Sequence, residues 1–227
     1  MQPYAFPYIG YFQLIHAVDR FVILDDVNYI PRGWINRNQI LVGGQPFKIT
    51  IPVSGGSQNS RISEVMLADQ AWQTKWIKTL KASYSKAPHF PTVMPLIEDI
   101  ILGGHTTIAS LAKASLIRFS EHLHIDTEFI PSSAKYGNGD LKGQDRIIDI
   151  CSREEATTYI NPPGGRELYM KDAFSSHDIE LTFIQPNSRP YTQFRNDFVP
   201  WLSIIDVLMF NSREECQPLI TDYRIES

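Results

Sequence analysis

Hydrophobic residues along this chain follow two periods, one typical of helices and one typical of strands. Apolar residues at helical spacing predict helices over 10–18, 67–84, 91–102, 106–123, 142–151 and 199–210. Apolar, β-prone runs predict strands over 21–24, 39–42, 46–52, 127–130, 157–160 and 179–184. Strands and helices alternate through the second half, which predicts a single α/β domain over 1–227 with a mostly parallel sheet.

Three further segments complete this outline. Gly43 and Gly44 separate two of the strands and predict an antiparallel hairpin added to the sheet. The helices between about 67 and 124 predict a helical insertion within the domain. The residues after 210 are polar, and we expect them to be frayed.

The chain begins with an aromatic loop, MQPYAFPY, and Gly10 then opens the first predicted helix. Free backbone N–H groups at a helix start can hold a phosphate, and glycine allows close approach, so Gly10 is a candidate anion site. A plain helix start is the alternative. His16 on the same helix is a candidate catalytic residue, although a surface histidine explains it as well. The loop supplies candidate contacts to a sugar or a base: Gln2, Tyr4, Tyr8 and Tyr11.

Two carboxylates, Asp25 and Asp26, directly follow the predicted strand 21–24. Ligands of open α/β sheets bind at the carboxyl ends of strands, so either carboxylate is a candidate general base. A turn with solvated carboxylates fits the sequence equally well.

A dense polar loop surrounds Trp34. Its guanidinium and amide groups suit a phosphate or a carboxylate, and its indole offers a stacking face. We expect Arg32 or Arg37 to share a cleft with Tyr8 and the Asp25–Asp26 pair. A loop pinned by its own hydrogen bonds is the alternative. The substrate-binding candidates here are Arg32, Trp34, Asn36, Arg37 and Asn38.

Two later loops carry weaker candidates. Lys142 stands at a predicted helix start and is a candidate for anion binding, with an exposed helix face as the alternative. Asn161, Gly164 and Gly165 follow a predicted strand, where a ligand loop would lie. A turn that ends the strand explains them nearly as well.

Composition and charge exclude several classes of protein. The net charge is −4, from 21 Lys and Arg against 25 Asp and Glu, which argues against bulk nucleic-acid binding. No apolar run reaches the roughly 18 residues of a membrane-spanning helix, and the first residues lack the basic region of a signal peptide. We therefore expect a cytoplasmic protein. The two cysteines and six histidines offer no four-ligand zinc set, so no structural metal is expected.

Several segments, taken in order, resemble the WbqC-like protein family. They are MQPY at 1–4, FPYIGYFQLI at 6–15, DRFVILDDV at 19–27, RGWINRN at 32–38, YSKAP at 84–88, Tyr159-Ile160, Gly164-Gly165, Tyr191-x-Gln193 and LSIID at 202–206. The resemblance adds Tyr191 and Gln193 to the substrate-binding candidates. It also implies a few strand-like residues ahead of Met1.

The resemblance implies an enzyme of O-antigen type surface-polysaccharide synthesis. We expect a transferase or ligase that acylates or aminoacylates an amino sugar or a nucleotide-linked sugar, using a nucleotide or an acyl or aminoacyl donor. Asp25 or Asp26 would act as the base, and Tyr8 and Trp34 as an aromatic platform. The alternative is a non-catalytic accessory protein that binds a nucleotide sugar or a glycan. The oligomeric state is left open.

The order of strand, Pro/Gly loop, helix and strand also resembles the Rossmann-like nucleotidylyltransferases in outline. The two histidines of their H-x-G-H signature correspond to Tyr8 and Tyr11 here. The likeness therefore implies a fold and not that family's phosphate chemistry.

Overall fold

Both helices and strands occur in the computed structural model, which describes residues 1–69, 71–194 and 197–227. The helices are α1 (Ile9–His16), α2 (Ala71–Tyr84), α3 (Phe90–Leu102), α4 (Ile108–His122), α5 (Gly143–Arg153), α6 (Lys171–Ser175), α7 (Ile204–Phe210) and α8 (Arg213–Ile220). The strands are β1 (Arg20–Val22), β2 (Arg37–Val42), β3 (Gln45–Thr50), β4 (Val53–Ser54), β5 (Met66–Leu67), β6 (Glu128–Ile130), β7 (Thr158–Asn161), β8 (Glu180–Pro186) and β9 (Tyr223–Glu226). The architecture is mixed α/β.

Parallel pairing among the described strands is limited to two pairs. β1 lies parallel to β6, and β7 lies parallel to β8. β9 joins β8 antiparallel, and β2–β3 and β4–β5 form separate antiparallel pairs. The expected mostly parallel sheet and the Rossmann-like arrangement are therefore not confirmed. The hydrophobic pattern predicts where strands occur, but their partners depend on contacts between distant parts of the chain.

A cavity of about 520 Å³ separates the two parallel pairs. Residues of β1 and β7 line it, together with apolar side chains of α5. Met1 lies along β1 here, and its carbonyl oxygen accepts a hydrogen bond of 2.8 Å from the Leu24 N–H. The strand expected ahead of Met1 is not part of this sequence and stays a prediction.

The predicted antiparallel hairpin is confirmed as β2–β3. Gly43 and Gly44 connect its strands with φ angles of +59° and +80°. Two successive positive φ angles are the requirement of a tight hairpin turn, and glycine meets it without steric strain. The hairpin positions Asn38 and Gln39 on β2, close to the first loop of the chain.

The segment predicted as a helical insertion contains α2, α3 and α4. Trp72, Trp76 and Leu80 are buried on one side of α2, as their spacing predicts. These helices share one hydrophobic core with α1 and α7. The single domain over 1–227 and the insertion within it stay predictions.

The expectation of a frayed C-terminus is wrong. α8 begins with a capping box in which the Ser212 N–H donates to Glu215 Oε2 at 2.7 Å and the Glu215 N–H donates to Ser212 Oγ at 3.2 Å. β9 then pairs with β8. The sequence Ser212-x-x-Glu215 carries the signature of a helix start. This motif predicts α8, whereas the polar composition of the segment wrongly suggests a frayed end.

Candidate functional site

An open cavity of about 520 Å³ lies beside the first loop and the start of α1, and we call it the aromatic pocket. Its volume falls in the range of about 300–1,000 Å³ that is typical of small-molecule sites. Its lining consists of Tyr4, Pro7, Tyr8, Trp34, Asn38, Gln39, Pro163, Gln185, Pro186 and Trp201. None of these side chains is acidic or basic, so the lining is uncharged.

Two tryptophans leave about half of their surface exposed at this pocket. Trp34 is 51% exposed and Trp201 is 47% exposed. Trp201 packs against the Tyr8 ring edge to face, with ring centroids 5.8 Å apart. Large aromatic surfaces left open to solvent around one cavity mark a binding surface. Their flat faces suit a sugar ring or a base.

The backbone beneath the pocket holds two bulky residues in the left-handed region. Trp201 has a φ of +61° and Phe6 a φ of +51°, which is rare for such side chains. Ser203 ties both segments together, because its Oγ donates to the Phe6 carbonyl at 2.7 Å and its N–H donates to the Gln39 carbonyl at 2.8 Å. Backbone strain of this kind clusters at functional sites.

Glycine is required at position 10 for the wall of the pocket. A Cβ on Gly10 would lie 2.4 Å from the Tyr8 ring and 2.9 Å from Pro186. The missing side chain therefore lets Tyr8 lie across the start of α1. The structure gives Gly10 this packing role, and its role in anion binding stays a prediction.

Asp25 lies at the end of β1, where it pairs with α4. Lys113 Nζ donates to Asp25 Oδ2 at 3.1 Å, and Ser132 Oγ donates to Asp25 Oδ1 at 2.6 Å. Ser132 follows β6, so the two neighbouring parallel strands end at this carboxylate. Asp25 is not among the residues that line the aromatic pocket.

Asp26 forms a buried ion pair with α5. Arg146 Nη2 lies 2.7 Å from both carboxylate oxygens, and Ser133 Oγ donates to the same carboxylate. Burial by itself would raise the pKa of Asp26, but the hydrogen bonds from Ser133 and Arg146 and the charge of Arg146 together lower it. A carboxylate held as an anion in this way is a weaker base.

The arginines of the Trp34 loop lie near each other in the structure. Arg37 Nη1 donates to the Arg32 carbonyl at 3.4 Å, while Arg32 itself is exposed. Across the described residues, no hydrogen bond or ion pair joins these arginines to Asp25 or Asp26. A cleft that Arg32 or Arg37 shares with Tyr8 and the Asp25–Asp26 pair stays a prediction.

The asparagines of that loop hold backbone in place. Asn36 Nδ2 donates to the Ile51 carbonyl at 2.7 Å, and its Oδ1 accepts from Tyr29 Oη at 2.8 Å. Asn38 Nδ2 donates to the Phe6 carbonyl at 2.7 Å. These bonds fit the alternative of a loop pinned by its own side chains.

The remaining early candidates lie around α1. Tyr11 is buried, and its Oη donates to the Gln2 carbonyl at 2.5 Å. Tyr4 packs on Tyr11 with ring centroids 5.5 Å apart and reaches the aromatic pocket. His16 is exposed at the other end of the helix, 3.1 Å from the Tyr223 hydroxyl. The structure therefore brings Tyr4 to the pocket, whereas His16 lies elsewhere.

The later candidates are dispersed. Lys142 is exposed just before α5. Asn161 is buried against Gly165, where a Cβ would lie 1.8 Å from the Asn161 amide nitrogen. Gly164 and Gly165 belong to a short 3-10 turn whose Pro163 lines the pocket.

Tyr191 and Gln193 bind a buried carboxylate. Tyr191 Oη and Gln193 Nε2 each donate to Asp206 Oδ1 at 2.6 Å. Tyr84 Oη donates to the other oxygen of Asp206 at 2.8 Å. This network lies in the core, and neither Tyr191 nor Gln193 lines the aromatic pocket.

The sequence pattern of the WbqC-like protein family matches residues 2–218 of this chain. The chain belongs to the WbqC-like protein family. The resemblance inferred from the ordered segments is thereby confirmed, and the match includes every residue that lines the aromatic pocket.

A relative in Mycobacterium tuberculosis (strain ATCC 25618 / H37Rv) is the uncharacterized protein Rv1507c. It is 32% identical over 208 residues, which covers 90% of this WbqC-like chain and 89% of the relative. No solved structure matches the chain.

The most important residue that sequence reasoning missed in this WbqC-like chain is Trp201. The hydrophobic pattern places it in a helix over 199–210, but α7 begins only at Ile204. Ser203 caps that helix, since its Oγ accepts from the Ile205 N–H at 3.3 Å. The Ser203-x-x-Asp206 spacing signals this start and would have placed Trp201 in a loop. No comparable signal marks Gln39, Pro163, Gln185 or Pro186.

Two kinds of feature are absent from the described ranges of this WbqC-like protein. Among residues 1–69, 71–194 and 197–227, no three His, Cys, Asp or Glu side chains lie close enough to share a metal ion. In the same ranges, no helix has the length and apolar character needed to cross a bilayer. The absence of a structural metal in the working protein stays a prediction.

Proposed function

We propose that this protein acts in the cytoplasm in the synthesis of surface polysaccharide, and that it binds a sugar or sugar nucleotide in the aromatic pocket. The observation that carries the proposal is the pair of half-exposed tryptophans, Trp34 and Trp201, facing one cavity. The C–H face of a sugar ring is apolar and packs on an indole, while its hydroxyl edge needs hydrogen-bonding groups. Gln39 and Gln185 supply such groups in the lining.

The chemistry we propose for this site is acyl or aminoacyl transfer to an amino sugar. Such a transfer needs a base for the incoming amine. Asp25 and Asp26 are our candidates for the base; neither lines the aromatic pocket, so the amine would react outside this lining. The exposed Arg32 and Lys142 are candidates for holding a phosphate outside the pocket.

One observation favours a second candidate function, which is sugar binding without catalysis. No residue of the pocket lining titrates near neutral pH. Burial, and secondly the neighbouring Tyr4, raise the pKa of Tyr8 above its usual value, so its phenol is neutral there. Burial raises the pKa of Cys151 to about 11 and that of Cys216 to about 12, so both remain thiols. Neither cysteine is an activated nucleophile.

Replacing either exposed tryptophan by alanine should weaken sugar binding. We expect Trp34→Ala and Trp201→Ala each to weaken binding of a nucleotide sugar by about 10- to 100-fold, which is about 1.4–2.8 kcal/mol. The reason is the loss of a stacking face that is already exposed, so the melting temperature should change little. Calorimetric titration with a panel of nucleotide sugars measures the effect.

Phe47→Ala is the matched control, because Phe47 is 50% exposed and lies outside the aromatic pocket. It should leave affinity unchanged. Unaltered affinity in both tryptophan variants would show that the sugar site lies elsewhere.

Turnover separates the two candidate functions. The wild type is incubated with an amino-sugar nucleotide and an acyl donor, and the N-acylated product is followed by mass spectrometry. We expect product that is lost in Asp25→Asn while sugar binding persists. Tight binding of the sugar nucleotide with no product from any donor would favour the accessory role.

A further inference from the structure

The polar groups that the aromatic pocket offers to a ligand are all uncharged. Gln39 on β2 and Gln185 on β8 present carboxamides that make no hydrogen bond to any residue in the described parts of the chain. Asn38 differs, because its Nδ2 donates to the Phe6 carbonyl at 2.7 Å and its Oδ1 accepts from the Gln39 N–H at 2.8 Å. The two glutamine amides are therefore free to meet a ligand.

A charged ligand group finds no side chain of opposite charge in this lining. A carboxylate or an ammonium that enters the pocket loses water, and no lining residue supplies the opposite charge. A neutral hydroxyl or N-acyl group loses less hydration free energy on entering the pocket. A glutamine carboxamide can replace the lost water, because it offers both a hydrogen-bond donor and an acceptor. The pocket therefore discriminates by charge as well as by shape.

We propose that the aromatic pocket selects an uncharged pyranose, with an N-acylated hexosamine as the representative case, over sugars that carry a carboxylate or an ammonium. Gln39 and Gln185 are its specificity-determining residues, and each forms hydrogen bonds with ring hydroxyls or with the acyl amide. This inference rests on the proposed function. An amino-sugar substrate is then the weaker ligand of the pocket, and its N-acylated product is the tighter one.

Three ligands with the same nucleotide isolate the contribution of the ring. They are UDP-N-acetylglucosamine, which has a neutral ring, UDP-glucosamine, which carries an ammonium, and UDP-glucuronic acid, which carries a carboxylate. The matching methyl glycosides remove the nucleotide altogether. We expect calorimetric titration to show at least tenfold tighter binding of the neutral member in each set.

Glutamate variants test the two residues directly. Gln39→Glu and Gln185→Glu keep the side-chain shape and add one negative charge. Each should improve binding of UDP-glucosamine relative to UDP-N-acetylglucosamine by about tenfold. Gln45→Glu is the control, because Gln45 is exposed outside the pocket and the variant adds the same charge. It should leave the ratio unchanged.

The outcomes separate this inference from the proposed function. If all three UDP sugars bind with equal affinity and Trp34→Ala weakens their binding, the pocket is still a sugar site, but the selection of a neutral ring is overturned. Binding of UMP as tight as that of the UDP sugars also overturns it, because the pocket would then read the base. Binding of none of the nucleotide sugars or glycosides overturns both.

Discussion

Asp206→Ala should lower the free energy of unfolding by about 2–6 kcal/mol, because each buried hydroxyl donor left without its acceptor costs about 1–3 kcal/mol. Asp206 is fully buried and accepts hydrogen bonds from Tyr84 Oη at 2.8 Å and from Tyr191 Oη and Gln193 Nε2 at 2.6 Å. Alanine would leave the hydroxyl groups of Tyr84 and Tyr191 without an acceptor, and Gln193 Nε2 would keep the Val199 carbonyl, at 3.1 Å. Urea denaturation of the wild type and the variant measures the difference.

Asp126→Ala is the control, because Asp126 is exposed. It should change the free energy of unfolding by less than about 0.5 kcal/mol. A loss below about 1 kcal/mol in Asp206→Ala would mean that water can enter and satisfy the two hydroxyl donors.

The pH dependence of this site has an unusual sign for an aspartate. Burial raises the pKa of Asp206 above its usual value of 3.8, although the three donors oppose the shift. The folded state therefore favours the protonated form. The contribution of this group to stability is fully present below the unfolded pKa and declines as pH rises through the folded pKa.

Arg146→Ala should also destabilise the fold by about 3–5 kcal/mol at neutral pH, because it leaves Asp26 as an unpaired buried charge. The two side chains are only 7% and 10% exposed, and both oxygens of Asp26 lie 2.7 Å from Arg146 Nη2. Arg118→Ala is the control, since Arg118 is about half exposed and 3.9 Å from Glu121. It should change stability by less than about 1 kcal/mol.

Acid should weaken the Asp26–Arg146 pair. The folded pKa of Asp26 lies below its usual 3.8, so the stability from this pair is present above the unfolded pKa and is lost as pH falls through the folded pKa. The gap in unfolding free energy between wild type and Arg146→Ala should therefore narrow in acid. A gap that stays constant from neutral pH through that window would show that Arg146 acts through packing alone.

These two buried clusters show how far the sequence could lead. Local periodicity predicted most helices and strands, and Gly43-Gly44 predicted the hairpin because only a few residue types accept two positive φ angles. Strand pairing was not predictable in the same way, since β1–β6 and β7–β8 join residues far apart in the chain. The alternation of helices and strands along the sequence does not determine which strands pair with each other.

The candidate site likewise contains residues that the local sequence indicates and residues that only distant contacts bring together. Tyr4, Tyr8 and Trp34 line one pocket, whereas Asp25 and Asp26, which we expected in the same cleft, are not among its lining residues. The pairings of Arg146 and Asp206 are not predictable in this way, because Arg146 lies 120 residues from Asp26 and Asp206 lies 122 residues from Tyr84. Nothing local marks such pairs. A positive φ at Trp201 is likewise decided by tertiary contacts and not by its neighbours in sequence.

The walls of the aromatic pocket come from five stretches of chain, at 4–8, 34–39, 163, 185–186 and 201. No fragment of the protein can therefore carry a working pocket, since the walls meet only when most of the chain has folded. Any ligand that fits it binds the native state and not the unfolded chain. By mass action, such a ligand at 100 times its Kd raises the free energy of unfolding by about 2.7 kcal/mol. A thermal-shift screen of small molecules thus reports on the pocket when the wild type is compared with Trp34→Ala, even before any reaction is known.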